Sequence, residues 1–168
     1  IPMQSEELPT TVNLNEALHD VLGLATGRLL ASGIRIGWRP QAVLPGIHGY
    51  PNRLRAMCKA LVDNAIEAMN VKGWRERELS VTSRSLLGAV EIVIEDSGPG
   101  IPTGSLLKIF EPFYTTKKLG GHLGTGLSSA LQVAQDHGGV IEIDPASGGG
   151  CRVRAPSACA APDPSRTC

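Results

Sequence analysis

Asn64 is the first residue whose type and position point to chemistry. It follows Met57 by seven positions and Leu61 by three, so it falls on the apolar face of a helical pattern, where a buried amide needs partners. Two readings are open. One is a core asparagine bonded to a neighbouring backbone; the other is a metal ligand, because an amide oxygen suits the hard Mg2+ that accompanies phosphates. A second candidate is Asp96-Ser97-Gly98-Pro99-Gly100 at the end of an alternating pattern. A carboxylate there can accept a hydrogen bond from an exocyclic amine, and the two glycines let backbone come close to a flat ring. Taken alone, the same stretch is an ordinary turn. The third candidate is Gly120 to Ser128, which runs directly into a helical pattern. Glycine amides ahead of a helix N-terminus cradle anionic phosphate oxygens, although such stretches also serve as flexible loops.

The elements that must hold these groups follow from periodicity. After an extended opening around Thr11 to Leu14, Asn13 stands three residues before Glu16, a capping-box-like start for a helix running to about Ala31 and stopped by Gly33. Ile34, Ile36 and Trp38 alternate as a strand, and Pro40 to Gly49 reads as a loop. Pro51 fits the first turn of a second helix, roughly Asn52 to Met69, with one broad apolar face. Strands are expected over Leu79 to Leu86 and Val90 to Glu95, joined at Gly88. The Gly-, Thr- and Pro-rich run from Ser97 to Gly126 suggests a lid. A helix from about Leu127 to His137 and a hairpin of Val140–Ile143 with Cys151–Arg154 complete the ordered part. Residues after Pro156 read as a disordered tail, which makes residues 1–155 one domain and 156–168 its extension.

Composition narrows the class. A chain of 168 residues with 42% hydrophobic content supports one domain with a real core. Sixteen basic and sixteen acidic residues leave no net field to gather nucleic acid or an anionic membrane, so a polyanion must be bound locally. No apolar run approaches the roughly 20 residues of a membrane span, and the chain reads as soluble, unexported and cytoplasmic. Cys58, Cys151, Cys159 and Cys168 lack paired metal-ligand spacing and read as reduced thiols.

The order of the three candidates, with Phe110 to Lys117 between the second and third, resembles the GHKL family of histidine-kinase- and Hsp90-type ATPases. Asn64 in Leu61-Val-Asp-Asn-Ala-Ile-Glu-Ala68 matches its N box, Asp96 to Gly100 its G1 box, Ile109 to Lys117 its F box and Gly121 to Ser128 its G2 box. His137-Gly138-Gly139 fits the usual sequel, and the likeness covers about Val12 to Ala155. The resemblance implies an α+β fold, a two-layer α/β sandwich whose mixed sheet is covered by helices on one face, with an ATP lid. It implies ADP or ATP with Mg2+ as ligands. Asn64 would ligate the metal, Asp96 would bond the adenine amine, and Gly98 and Gly100 would flank the base. Gly124, Thr125, Gly126 and Leu127 would hold phosphates. Lys117 fits a phosphate contact and a solvated lid charge equally well.

Two classes of function remain. A histidine kinase needs an acceptor histidine on a helical hairpin, which the sequence does not contain; His19 reads as a surface residue of the first helix, His48 as a loop residue, and His137 as a charge complementing a helix end. Ala60 stands four residues before Asn64, where the family usually carries a Glu or Asn that orients the reaction or activates water, and its methyl can do neither. Glu67 shares the stripe but lies a turn away, and His122 replaces the first glycine of the G2 pattern. With the spelling Gly-His-Leu-Gly-Thr-Gly-Leu-Ser, these features resemble the NifL-type branch of regulators of nitrogen fixation. That resemblance implies a nucleotide-sensing domain acting by protein contact on a NifA-like transcriptional activator, with a PII-like signalling protein as a further partner and a homo-oligomeric full-length protein. The alternative is the catalytic ATP-binding domain of a true sensor histidine kinase.

Overall fold

The computed structural model describes residues 7–70, 77–97, 123–143 and 150–158. The chain runs β1 (Thr10–Val12), α1 (Leu14–Ala31), β2 (Arg35–Arg39), β3 (Ile47–Gly49), α2 (Pro51–Met69), β4 (Glu78–Leu86), β5 (Ala89–Asp96), α3 (Leu123–Asp136), β6 (Val140–Ile143) and β7 (Gly150–Pro156).

Helix α1 starts where Asn13 turns its side-chain oxygen onto the Asn15 N–H at 2.9 Å. The cap bond therefore serves the second helical residue, and Glu16 meets the cap only through its N–H on the Asn13 carbonyl at 3.1 Å. At the other end Gly33 adopts φ +66, and its own N–H and that of Ile34 return to the Leu30 and Leu29 carbonyls. That left-handed closure is cheap only for glycine. Helix α2 opens with Pro51 at its first turn and buries Leu54, Met57, Cys58, Leu61, Val62, Ala65, Ile66 and Met69 on one side, the stripe that its sequence period demands.

Five strands form one sheet in the order β2-β4-β5-β7-β6, with β2 parallel to β4 and every other pair antiparallel. The predicted two-layer sandwich with a mixed sheet is therefore what is observed. Val81, Ile92, Ile94, Ile141 and Val153 point into the layer filled by Leu18, Leu29, Leu61, Ile66 and Ala130 from the helices. Helix α2 occupies the middle, packing on β5 and against both α1 and α3.

Three expectations need correction. The predicted loop Pro40 to Gly49 ends in strand β3, which pairs antiparallel with β1 from Thr10↔Gly49 to Val12↔Ile47. The period-two signal is too short to register in three residues, and the strand exists because its partner is remote in sequence. Helix α3 begins at Leu123, four residues before the predicted start; burial of Leu127, Ala130 and Ala134 against the core outweighs the poor helix propensity of Gly124 and Gly126. The ring of His137 is tied to Tyr50, a role that its place at a helix end did not announce. Its Nδ1 donates to the Val133 carbonyl at 2.7 Å and its Nε2 accepts from the Tyr50 N–H at 3.1 Å, which requires Nε2 without a proton.

His19 is exposed on α1 and His48 is exposed on β3. Cys58 and Cys151 are free. Past β7, Ser157 donates to the Gly88 carbonyl and Ala158 to the Gly46 carbonyl, so the chain stays joined to the body through Ala158. The expected tail, 156–168, is thus bonded to the body at its first residues, and the expected lid, Ser97–Gly126, gives its last four residues to α3; the rest of both, 159–168 and 98–122, lies outside the described residues, as do Cys159 and Cys168. No helix among the described residues is long and apolar enough to cross a membrane.

Candidate functional site

Asp96 is the last residue of β5 and pairs in register with Leu79 of β4. Strand parity places it on the helix-covered face with Ile92 and Ile94. The tip it occupies is fixed by Ser97, a residue the sequence reading did not single out. Its N–H donates to the Glu78 carbonyl at 3.2 Å, and its hydroxyl accepts from the Glu78 N–H at 2.9 Å and donates to Met69 Sδ at 3.7 Å. One side chain thus locks the strand tip to its neighbour and to the end of α2. The available signal was a hydroxyl residue directly after the carboxylate, where a backbone ladder ends and its last amides need partners.

Beneath this tip, Cys151 of β7 lies opposite Ile94, diagonal to Asp96 on the same face. Burial, reinforced by the charge of Asp96 and by Cys58, pushes its thiol up to about 12. Burial likewise pushes Cys58 up to about 12. Both thiols stay protonated and contribute as small apolar groups, not as nucleophiles or soft metal ligands.

Asn64 sits on α2 with its Oδ1 buried and without a hydrogen-bond partner among the described residues. The bland alternative, an amide oxygen satisfied by neighbouring backbone, has no such bond here. An unpaired buried acceptor costs about 1–3 kcal/mol, so the oxygen is a feature that burial alone would select against. It suits a hard cation, for which amide oxygens are ordinary ligands. No group of three or more His, Cys, Asp or Glu able to hold a metal occurs among the described residues. A cation at Asn64 would suit the habit of Mg2+ on phosphates, which fills its remaining sites with water and the bound anion.

The third component is the start of α3. With the helix beginning at Leu123, the N–H groups of Leu123, Gly124, Thr125 and Gly126 have no carbonyl one turn earlier within the helix. They share the positive end of its dipole. Leu127 puts its side chain into the core, so any part it takes in holding an anion falls to its backbone. Gly98, Gly100 and Lys117 lie outside the described residues.

Helix α2 is the common neighbour of the strand ending in Asp96 and the helix beginning at Leu123. Its far end is latched to α3 by the Tyr50–His137 bond and by Arg53, which donates to Asp136. Hydrogen bonds from Arg53 and Gln132 hold the Asp136 carboxyl below the usual carboxylate range. A Cβ on Gly49 would lie 2.2 Å from the His137 ring, so only glycine lets the ring reach Tyr50. Ala60, one turn before Asn64, is half-buried against the core. Its methyl brings neither a proton acceptor nor a donor to the neighbouring Asn64 amide.

Comparison with known proteins gives these features a context. The family model described as histidine kinase-, DNA gyrase B-, and HSP90-like ATPase matches residues 49–158. The sensor histidine kinase TmoS of Ectopseudomonas mendocina is 36% identical over 124 residues, covering 72% of this chain and 12% of TmoS. The sensor histidine kinase ZraS of Escherichia coli O157:H7 is 33% identical over 141 residues, covering 84% of this chain and 30% of ZraS. The chain thus spans less than a third of the length of these two relatives. Among solved structures, the catalytic domain of histidine kinase ThkA superposes with a TM-score of 0.77 at 30% identity, covering 89% of this chain and 96% of that one.

Proposed function

Since the chain belongs to the family of histidine kinase-, DNA gyrase B- and HSP90-like ATPases, we propose that it binds a Mg2+–adenine nucleotide, ADP or ATP, within a cytoplasmic histidine-kinase-like signalling protein. The observation that carries this reading is the buried, unpartnered Oδ1 of Asn64. In the proposed complex Asn64 is a Mg2+ ligand and Asp96 accepts the adenine amine. Gly98 and Gly100 flank the base. The amides of Gly124, Thr125, Gly126 and Leu127, with Lys117, hold phosphates at the mouth of α3. Bound Mg2+ would offset phosphate charge, while the residues of this chain orient the nucleotide and keep the base out of water. Calorimetric titration with Mg-ADP and Mg-ATP tests the reading. No heat and no rise in melting temperature with either nucleotide would end it, since any ligand of the native state stabilises that state.

Whether phosphoryl transfer follows binding is a separate question. The methyl of Ala60 supports a nucleotide-responsive regulatory domain of NifL type, in which ADP or ATP changes a docking surface for a NifA-like activator and a PII-like protein. Such a switch requires different affinities in two conformations. The sensor-kinase names of the relatives favour the second reading, a catalytic domain that phosphorylates a histidine supplied from elsewhere in a longer, homo-oligomeric protein. Incubating that longer protein with γ-labelled ATP separates the two. Acid-labile label on a histidine defeats the regulatory reading, and its absence under conditions where nucleotide binds defeats the kinase reading.

A further inference from the structure

Away from Asn64 and Asp96, helices α1 and α2 enclose a groove of about 260 Å³. The ion pairs Asp20–Arg55 and Arg28–Asp63 are equally spaced along both helices, so the two helices run side by side in the same direction. The stretch of α2 from Asn52 to Asp63 gives the groove a length of about 16 Å at 1.5 Å per residue, three turns of a third helix.

The floor is apolar, formed by the buried Val21 and Ala25, with Leu24 and Ala56 exposed beside them. Leu24 is 81% exposed, an unusual position for a large aliphatic beside a concave surface. The rim is cationic. Arg28, Arg55 and Lys59 line it with Asp63 as the one acid. Asp63 is shared by Arg28 at 2.6 Å and Lys59 at 2.7 Å, while Arg55 donates to the Asn52 amide oxygen at 3.1 Å and reaches Asp20 at 3.4 Å. The Arg55 Nε is buried and has no partner among the described residues.

We propose that this groove docks an amphipathic helix of a partner protein, with leucine-like residues at i, i+3, i+4 and i+7 and glutamates along its flanks. The apolar stripe covers Leu24 and the floor. The glutamates complete the shared coordination of Lys59 and Arg55, and the excess of cations on the rim selects an acidic helix over a basic one. The site is separate from the proposed nucleotide site, so it stands or fails independently of that reading.

The test uses the full 168-residue chain and two fluorescein-labelled 16-residue synthetic peptides sharing one leucine stripe, one flanked by Glu and the other by Lys. Fluorescence anisotropy should show the Glu peptide binding at least tenfold more tightly than its Lys counterpart. The double variant Arg55→Glu, Lys59→Glu should reverse that preference. Leu24→Ser, at an exposed position, should weaken the Glu peptide about tenfold at unchanged melting temperature. Failure of both peptides to bind, equal binding of the two, or indifference to Leu24→Ser would overturn the proposal. So would concentration-dependent self-association abolished by Leu24→Ser, because the groove would then belong to a second copy of the chain.

Discussion

Two buried oxygens on opposite sides of the sheet are treated in opposite ways. On the open face Glu91 of β5 has no solvent exposure, yet its carboxylate takes hydrogen bonds from Arg84 at 2.6 Å and Arg154 at 2.8 Å, with Arg152 at 3.7 Å. These cations come from the register itself, which sets Arg84 of β4 and Arg154 of β7 directly across from Glu91. On the helix side the Asn64 oxygen has no partner among the described residues. A fold that supplies three arginines to one carboxylate is able to satisfy its polar groups. The glutamate oxygens hold strands together, whereas an acceptor without a bond is what the proposed metal-ligand role of Asn64 requires.

The largest effect expected of that contrast concerns the proposed nucleotide site. Asp96→Asn should weaken adenine-nucleotide binding by about 1.5–3 kcal/mol, the scale of a charge-assisted hydrogen bond, while the melting temperature without nucleotide changes little. Calorimetric affinity unchanged from the wild type would mean that Asp96 does not read the base. Glu91→Gln should do the reverse, lowering stability by about 2 kcal/mol and leaving nucleotide affinity within error. A denaturant titration alongside the calorimetry checks both halves.

Acid should loosen the open face in a defined window. Burial pushes the Glu91 carboxyl up, but hydrogen bonds from Arg84 and Arg154 and the charges of Arg84 and Arg152 outweigh it and hold the group below its usual range. For Asp63, partial burial also acts upward and is outweighed by the bonds and charges of Lys59 and Arg28. A depressed carboxyl stabilises the fold fully above its unfolded value, roughly pH 4, and loses that contribution as pH falls through its folded value. Unfolding midpoints should therefore drop below about pH 4, and the Glu91→Gln variant should show a shallower decline. Equal slopes would place the acid sensitivity elsewhere.

Smaller effects sharpen the comparison. His137→Phe keeps an aromatic ring but removes the acceptor of the Tyr50 N–H, at an expected loss of about 1 kcal/mol by thermal melting. Smallest is Asn64→Ala, which removes an oxygen without a bond to lose. Stability in the absence of nucleotide should not fall, because an uncompensated buried acceptor is removed, while the Mg2+ dependence of ADP affinity disappears. A clear destabilisation would reveal a structural partner and sink the metal-ligand reading.

Much of the architecture was legible because it is local. Asn13 and Gly33 mark the ends of α1, Pro51 and its apolar stripe mark α2, and Gly88 divides β4 from β5. The order of Asn64, Asp96 and the glycines before Leu127 was legible too, since each falls at an element boundary or on an apolar stripe. Ser97 was missed because its value lies in reaching Glu78 and Met69, which sequence spacing does not display. His137 was misread for the same reason, as its acceptor bond comes from Tyr50, far back in the chain.

By itself, then, the sequence determined the helices, the alternating strands, the turn glycines and the residue types offered at each boundary, all consequences of backbone preference and side-chain period over a few positions. Tertiary structure alone decided that β3 exists as a partner of β1, that Glu91 is buried beneath three arginines, and that the Asn64 oxygen stays unpaired among the described residues. Each of those outcomes depends on groups brought together across many residues, where only the packed chain sets distance and exposure to water.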